Sequence, residues 1–224
     1  MIYSTSKLFK FRKTVILQIN ERPITCFTKG MAIDADGYPF AYHPENKGHD
    51  DLKHGGYSGN WWGVATHDET TGGEPIIQKE NDPAPGYYLS TTSLIDKTFA
   101  YNDYRRYANA ATVPYFVLPD KFKDTISLGD VAWIYNLENG RSAYAIFADV
   151  GPDVGEGSMH LAGKLGIDND PRYGGVSKGI LYFIFDGSGK GNGFLPDEVE
   201  IEQLGVSYMK NIEPADLLKI FLRH

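Results

Sequence analysis

The stretch Ala143-Tyr-Ala-Ile-Phe-Ala-Asp149-Val-Gly-Pro-Asp153-Val-Gly-Glu156-Gly-Ser158-Met-His-Leu-Ala162 decides how this chain is read. Its first six residues leave almost no polar face, the mark of a strand covered on both sides or closed into a small barrel. A Gly/Pro turn follows, and Ser158 is a suitable N-cap for a short helix over Met159–Leu165 that Gly166 ends. Three acids ride on this strand, turn and helix. Asp149 leaves the apolar strand directly, and a carboxyl held against such a surface loses hydration, which favours its protonated form and suits a general acid. Glu156 stands two residues before Ser158, where the positive end of the helix favours the ionised form and suits a base. The reverse division of roles stays open. Two carboxyls whose surroundings push their pKa values apart are the working parts of glycosidic-bond hydrolysis. The plainer reading is that these acids only cap a helix and fill a turn.

Working outward, Thr14–Ile19 and Ile24–Phe27 read as a hairpin across Asn20-Glu21-Arg22-Pro23, and Met31–Ala35 continues as strand up to the turn residues Asp36-Gly37. Gly86–Thr92, Val113–Leu118, Val131–Leu137 and Ile180–Phe185 are further strands, each bounded by Gly, Pro, Asp or Asn. Glu45–Gly59 and Thr70–Pro85 lack periodicity and read as long loops, candidate walls of a binding cleft. Pro214–Leu222 suits a docked terminal helix. With 15 Tyr, 12 Phe, 25 Gly and 12 Pro among 224 residues, the composition favours strands and tight turns over a helical bundle. The expectation is one mainly β domain over residues 1–224, with long loops and a few short helices.

The formal charge of −7 repels nucleic acid and anionic membranes and welcomes a polycation. No stretch approaches the roughly 20 apolar residues of a membrane span. The apolar run Val15–Ile19 is broken by Gln18 and is too short for a secretion signal. The chain is thus expected either to stay in the cytoplasm or to leave by a route that needs no such signal. Cys26 is the single cysteine, so no internal disulfide forms.

Several separated blocks carry a family resemblance: Ala32-Ile-Asp34-Ala-Asp36-Gly37, Ala41-Tyr42-His43-Pro44, Asn60-Trp61-Trp62-Gly63, Gly86-Tyr-Tyr-Leu-Ser90-Thr91-Thr92-Ser93-Leu94, Val113 to Pro119, Gly129-Asp130, Asp149-Val-Gly-Pro, Gly155-Glu156-Gly-Ser158 and Pro171-Arg172-Tyr-Gly174-Gly175. Together, in this order, they resemble glycoside hydrolase family 75, the endo-chitosanases of fungi and streptomycetes, over about residues 28–190. The remainder, about 197–224, reads as a C-terminal helical extension. The resemblance implies that Asp149 and Glu156 are catalytic, that cleavage of β-1,4-linked glucosamine polymers is inverting, and that members are typically secreted. The strand-turn-acid pattern is also similar to double-psi β-barrel glycan enzymes such as lytic transglycosylases and family 45 cellulases, which implies a six-stranded barrel with an open groove. A peptidoglycan glycan-strand hydrolase or lytic transglycosylase exported as an effector, and a non-catalytic glycan-binding module, are the alternative readings.

Candidate substrate contacts are Asp34, Asp36, Tyr42, Trp61, Trp62, Ser90 and Thr92. The tryptophans offer a flat face or a cation–π site to an amino sugar, with one expected buried and one exposed. Asp34 and Asp36 either bind substrate ammonium groups or simply form a turn, and the Ser90–Ser93 hydroxyls face the groove or bond to backbone. Asp34-Ala-Asp36-Gly37 fails as a calcium loop because its glycine comes too early. His43, His49, His54 and His67 lack zinc-site spacing, and Gly187-Ser-Gly-Lys190 lacks the glycine and hydroxyl of a phosphate loop. No metal or organic cofactor is expected, and the partner is a polysaccharide bound by a monomer.

Overall fold

The computed structural model describes residues 3–222. Ten strands and four α-helices follow in the order β1 (Thr5–Phe11), β2 (Thr14–Ile19), β3 (Ile24–Asp34), α1 (Leu52–Gly55), β4 (Gly56–Tyr57), β5 (Asn60–Trp61), β6 (Tyr115–Leu118), β7 (Val131–Asn136), β8 (Ser142–Val150), β9 (Glu156–Ser158), α2 (Met159–Lys164), β10 (Val176–Phe185), α3 (Glu198–Met209) and α4 (Pro214–Leu222).

Six strands close on themselves in the order β3-β10-β7-β8-β6-β9 and back to β3. Closure covers one face of β7, β8 and β10 and the C-terminal helices cover much of the other, which is why these runs carry so little polar surface. Most steps around the barrel are antiparallel, but β3 runs parallel to β9 and β6 parallel to β8. The long strand β3 serves two partners on the edge opposite β10: β2 pairs with its start, Leu17 against Cys26, and β9 with its end, Ala32 against Glu156. The β1–β2 hairpin therefore continues the sheet beyond the barrel wall.

Tyr182 stacks on Phe27 at 4.6 Å between ring centroids, and Phe183 on Trp133 at 5.5 Å. Ile201 and Leu217 of the C-terminal helices are buried in the same apolar cluster as the barrel residues. Helix α3 lies on β7 and β8. A Cβ at its Gly205 would come within 2.2 Å of the Tyr144 ring, so the close approach needs glycine there. Among the described residues no helix is long and apolar enough to cross a membrane.

Three expectations change. Gly86–Thr92 is not a strand: it threads between two loops, accepting and donating single backbone bonds to Ala65, Ile76 and Gln78, and forms only isolated bridges. The turn after β8 contains the short strand β9, and the N-terminal segment contributes β1. The loop Glu45–Gly59 holds α1 and β4, whereas Thr70–Pro85 is irregular.

Candidate active site

Strand register builds the site. Val117 of β6 pairs with Asp149 of β8 on one side and with Glu156 of β9 on the other, and Glu156 pairs in turn with Ala32 of β3. Residues in register across strands point to the same face, and all four line one open cavity of about 810 Å³. Asp34, two residues past Ala32, faces the same way, and Asp36 follows it at the strand's end. Asp149 and Glu156 thus stand two strand spacings apart, about 10 Å between Cα atoms.

Around Asp149 the carboxyls crowd. Oxygens of Asp34, Asp36 and Asp149 all lie within 4.8 Å of one another. The Ser93 backbone N–H and hydroxyl both donate to Asp149 Oδ1, at 2.7 and 2.6 Å. Asp36 Oδ1 accepts from the Tyr42 hydroxyl at 2.6 Å and the Ser90 hydroxyl at 3.4 Å, while Asp34 Oδ1 accepts from the Asp36 N–H at 2.8 Å. Burial first, then the charges of neighbouring acids, hold Asp34 and Asp36 well above the usual carboxylate range. Both therefore hold their protons to higher pH than an ordinary carboxyl does, and Asp36 adds a hydrogen bond that favours the charged form of Asp149. A hard cation would take its oxygens from these three residues, in competition with the protons that burial favours there. No histidine joins such a ligand group among the described residues.

Glu156 lies in different surroundings. Among the described residues no donor reaches its carboxyl, and burial, reinforced by the charges of Asp149, Asp50 and Asp153, pushes its pKa up to about 7. It opens the short strand β9, which runs directly into the six-residue α2, and that helix is capped by Ser158, whose hydroxyl accepts from the Leu161 N–H at 3.1 Å. Glu156 does stand two residues before the α2 N-cap, as read from the sequence, but burial and neighbouring acids raise its pKa where the helix end was expected to favour the ionised form. Asp149 is also raised by burial, yet the Ser93 and Asp36 donors oppose that rise. Of the two, Asp149 is the one built to carry charge.

The remaining candidates divide. Trp62 is 53% exposed and lines the cavity, its indole N–H donating to the His54 carbonyl at 2.6 Å; Trp61 is 6% exposed and packs on Tyr88, away from that cavity. Tyr42 is almost fully buried but borders the cavity beside Asp36. Ser90 is also interior, accepting from the Gly37 N–H. The Thr92 hydroxyl ties the Ala108 N–H to the Leu94 carbonyl at the cavity's edge. Tyr42 and Thr92 thus border the cavity, while Ser90 supports Asp36 from behind.

Two features carried no role in the sequence reading. Buried Asp50 holds His54 Nδ1 with both oxygens, at 2.9 and 3.0 Å, on the cavity wall. Arg172 donates to the carbonyls of Asn46, Gly48, His49 and Asp50, fastening the Glu45–Gly59 loop as a wall of the cleft. The only sequence signals were the Pro171-Arg172-Tyr-Gly-Gly block and the loop's length.

No protein-family model matches the chain, and no curated protein matches it.

Proposed function

We propose that the chain is an endo-acting glycoside hydrolase, a chitosanase, that cleaves β-1,4 linkages between glucosamine units by acid/base catalysis with inversion. The observation that carries this reading is the single row Asp149–Val117–Glu156, whose two ends face one open cavity from opposite electrostatic surroundings. A carboxyl with a pKa near 7 beside a carboxyl whose burial is countered by donors to its charged form is the pairing that glycosidic cleavage needs. Glu156 gives its proton to the leaving oxygen as the bond to the anomeric carbon breaks. Asp149 takes a proton from a water that attacks the opposite face of the sugar. Cα atoms about 10 Å apart leave carboxyl groups room for that water, as the roughly 6.5–9.5 Å of inverting enzymes requires.

The glucosamine polymer rests on the resemblance to glycoside hydrolase family 75 and on the acidity of the cleft, which suits a polycation. The same resemblance, with two parallel pairings set among antiparallel ones, supports reading the six-stranded barrel as a double-psi barrel. The test is release of reducing ends from chitosan. Asp149→Asn and Glu156→Gln should each lose about 10²–10⁴-fold in rate; undiminished rates in both sink the assignment. Release of muropeptides with chitosan untouched would transfer the reading to a peptidoglycan-cleaving enzyme, and anhydro ends would mark a lytic transglycosylase. Tight chitosan binding without turnover would leave a glycan-binding module.

A further inference from the structure

The Glu45–Gly59 loop brings one further pair of side chains to the cleft. Asp50 is 2% exposed, and both its oxygens lie against His54 Nδ1. Its Oδ1 also accepts from the Asp51 N–H at 2.6 Å. The His54 side chain, by contrast, is 47% exposed and lines the cavity together with Asp50 and Trp62. One edge of the imidazole is therefore pinned in the wall, and the opposite edge, which carries Nε2, is open. Nε2 makes no hydrogen bond among the described residues.

A carboxylate only accepts, so the proton of the neutral ring sits on Nδ1 and Nε2 carries a lone pair. A buried carboxylate fixes a histidine's tautomer and direction in this way where the second nitrogen meets a metal or a substrate. Fastening the loop does not require the pair, because Arg172 already holds the carbonyls of Asn46, Gly48, His49 and Asp50. Lys53, on the same wall, is a donor already in use, its Nζ bound to Asp51 at 2.8 Å. The His54 carbonyl accepts from the Trp62 indole, which ties the exposed aromatic face to the same residue. A sugar ring stacked on that indole carries its hydroxyl and amino substituents around its rim, and each is a hydrogen-bond donor.

We propose that Asp50 and His54 form a fixed acceptor that takes an O–H or N–H of the sugar lying on Trp62 and so positions the glycan across the acid pair. His54 binds through Nε2; Asp50 is a positioning residue that acts through the ring. Neither exchanges a proton with the glycosidic bond. The inference rests on the cleft being a glycan site.

The test uses the Glu156→Gln chain, in which cleavage is suppressed and the Asp50 charge has no Glu156 to act on. Glucosamine hexamer and cellohexaose are titrated calorimetrically at about pH 8, where an ordinary histidine ring is neutral. His54→Phe keeps a ring but no acceptor. Asp50→Asn keeps the shape should that variant unfold, and puts an NH2 group against Nδ1, which favours the other tautomer and turns Nε2 into a donor. Each should weaken hexamer binding about tenfold, and the two together should weaken it no further than either alone. A loss with both hexamers identifies a sugar hydroxyl as the donor, and a loss with the glucosamine hexamer alone identifies the amino group. In ¹⁵N spectra the free ring should be the Nδ1–H tautomer, and its Nε2 resonance should move when hexamer is added. A purely structural pair would leave that resonance still. An Nε2–H tautomer in the parent, no hexamer binding by the parent, or unchanged affinities in the folded variants overturn the proposal. Wild-type cleavage of chitosan beside such a result would sink this acceptor alone. Hexamer binding that depends on His54, in a chain that cleaves no glycan, would sink the enzyme reading alone.

Discussion

The two ends of the barrel are built from the same strands to opposite purposes. At one end β3 and β10 bring Ile24, Cys26, Phe183 and Phe185 into a buried apolar layer. At the other, β3 runs out through Asp34 to Asp36, and β8 ends its apolar run at Asp149. The first end gains stability from every side chain it buries. The second buries carboxyls that must stay protonated or find donors. On the proposed function, the second end is where stability is given up for chemistry, and each prediction below acts on one end and spares the other.

The largest effect belongs to the apolar end. Phe183 is fully buried between Trp133 and Phe221. Phe183→Ala should cost about 3–5 kcal/mol in denaturant unfolding, while the turnover of chitosan by the molecules that remain folded changes little. A large rate loss at unchanged stability would mean that the two ends are not separable in this way.

A smaller effect comes from the acidic end. Ser93→Ala removes the hydroxyl at 2.6 Å from Asp149 but keeps the backbone N–H. A hydrogen bond to a charged group is worth about 1.5–3 kcal/mol, so the rate should fall roughly 10–100-fold. The acidic limb of the pH–rate profile should move upward, because the ionised form of Asp149 has lost a donor. An unmoved limb would remove Ser93 from the account.

The smallest effect is on stability against pH. The folded-state pKa of Glu156 is raised from 4.5 to about 7, so the folded state keeps a proton that the unfolded chain releases earlier. That contribution is complete below pH about 4.5 and is lost as pH rises through about 7. Between pH 5.5 and 7 it should amount to about 1–2 kcal/mol, and Glu156→Gln should flatten the slope by that much. Asp34 and Asp36, raised as well, add to the slope with the same sign. A Glu156→Gln chain with the wild-type slope would show that Glu156 titrates normally.

The strands β7, β8 and β10 were legible in the sequence because burial on both faces leaves an apolar run with no polar alternation. Asp149 and Glu156 were legible for the same reason, as acids placed at the edge of that run. The strand β9 was hidden because three residues of Gly/Pro-flanked backbone carry no periodicity. Edge strand β1 was hidden because its side chains are mostly exposed; α3 falls within the expected helical extension, but its bounds were not legible because it buries only Ile201, Gly205 and Met209. The division of roles between the two acids could not be read locally at all. It is set by Ser93, 56 residues from Asp149 along the chain, and by Asp50, whose charge reaches Glu156 only across the folded cleft. Trp61 and Trp62 did split into one buried and one exposed ring, but which was which depended on the β4–β5 ribbon that turns Trp61 inward.

The account stands most directly on the order in which the two carboxyls give up their protons. A ¹³C nuclear magnetic resonance titration of the Asp149 and Glu156 carboxyl carbons, assigned through Asp149→Asn and Glu156→Gln, measures that order in the wild-type chain. The surroundings described above predict that Asp149 ionises first and that Glu156 follows near pH 7. Glu156 ionising ahead of Asp149, or at the usual value of about 4.3, would contradict it.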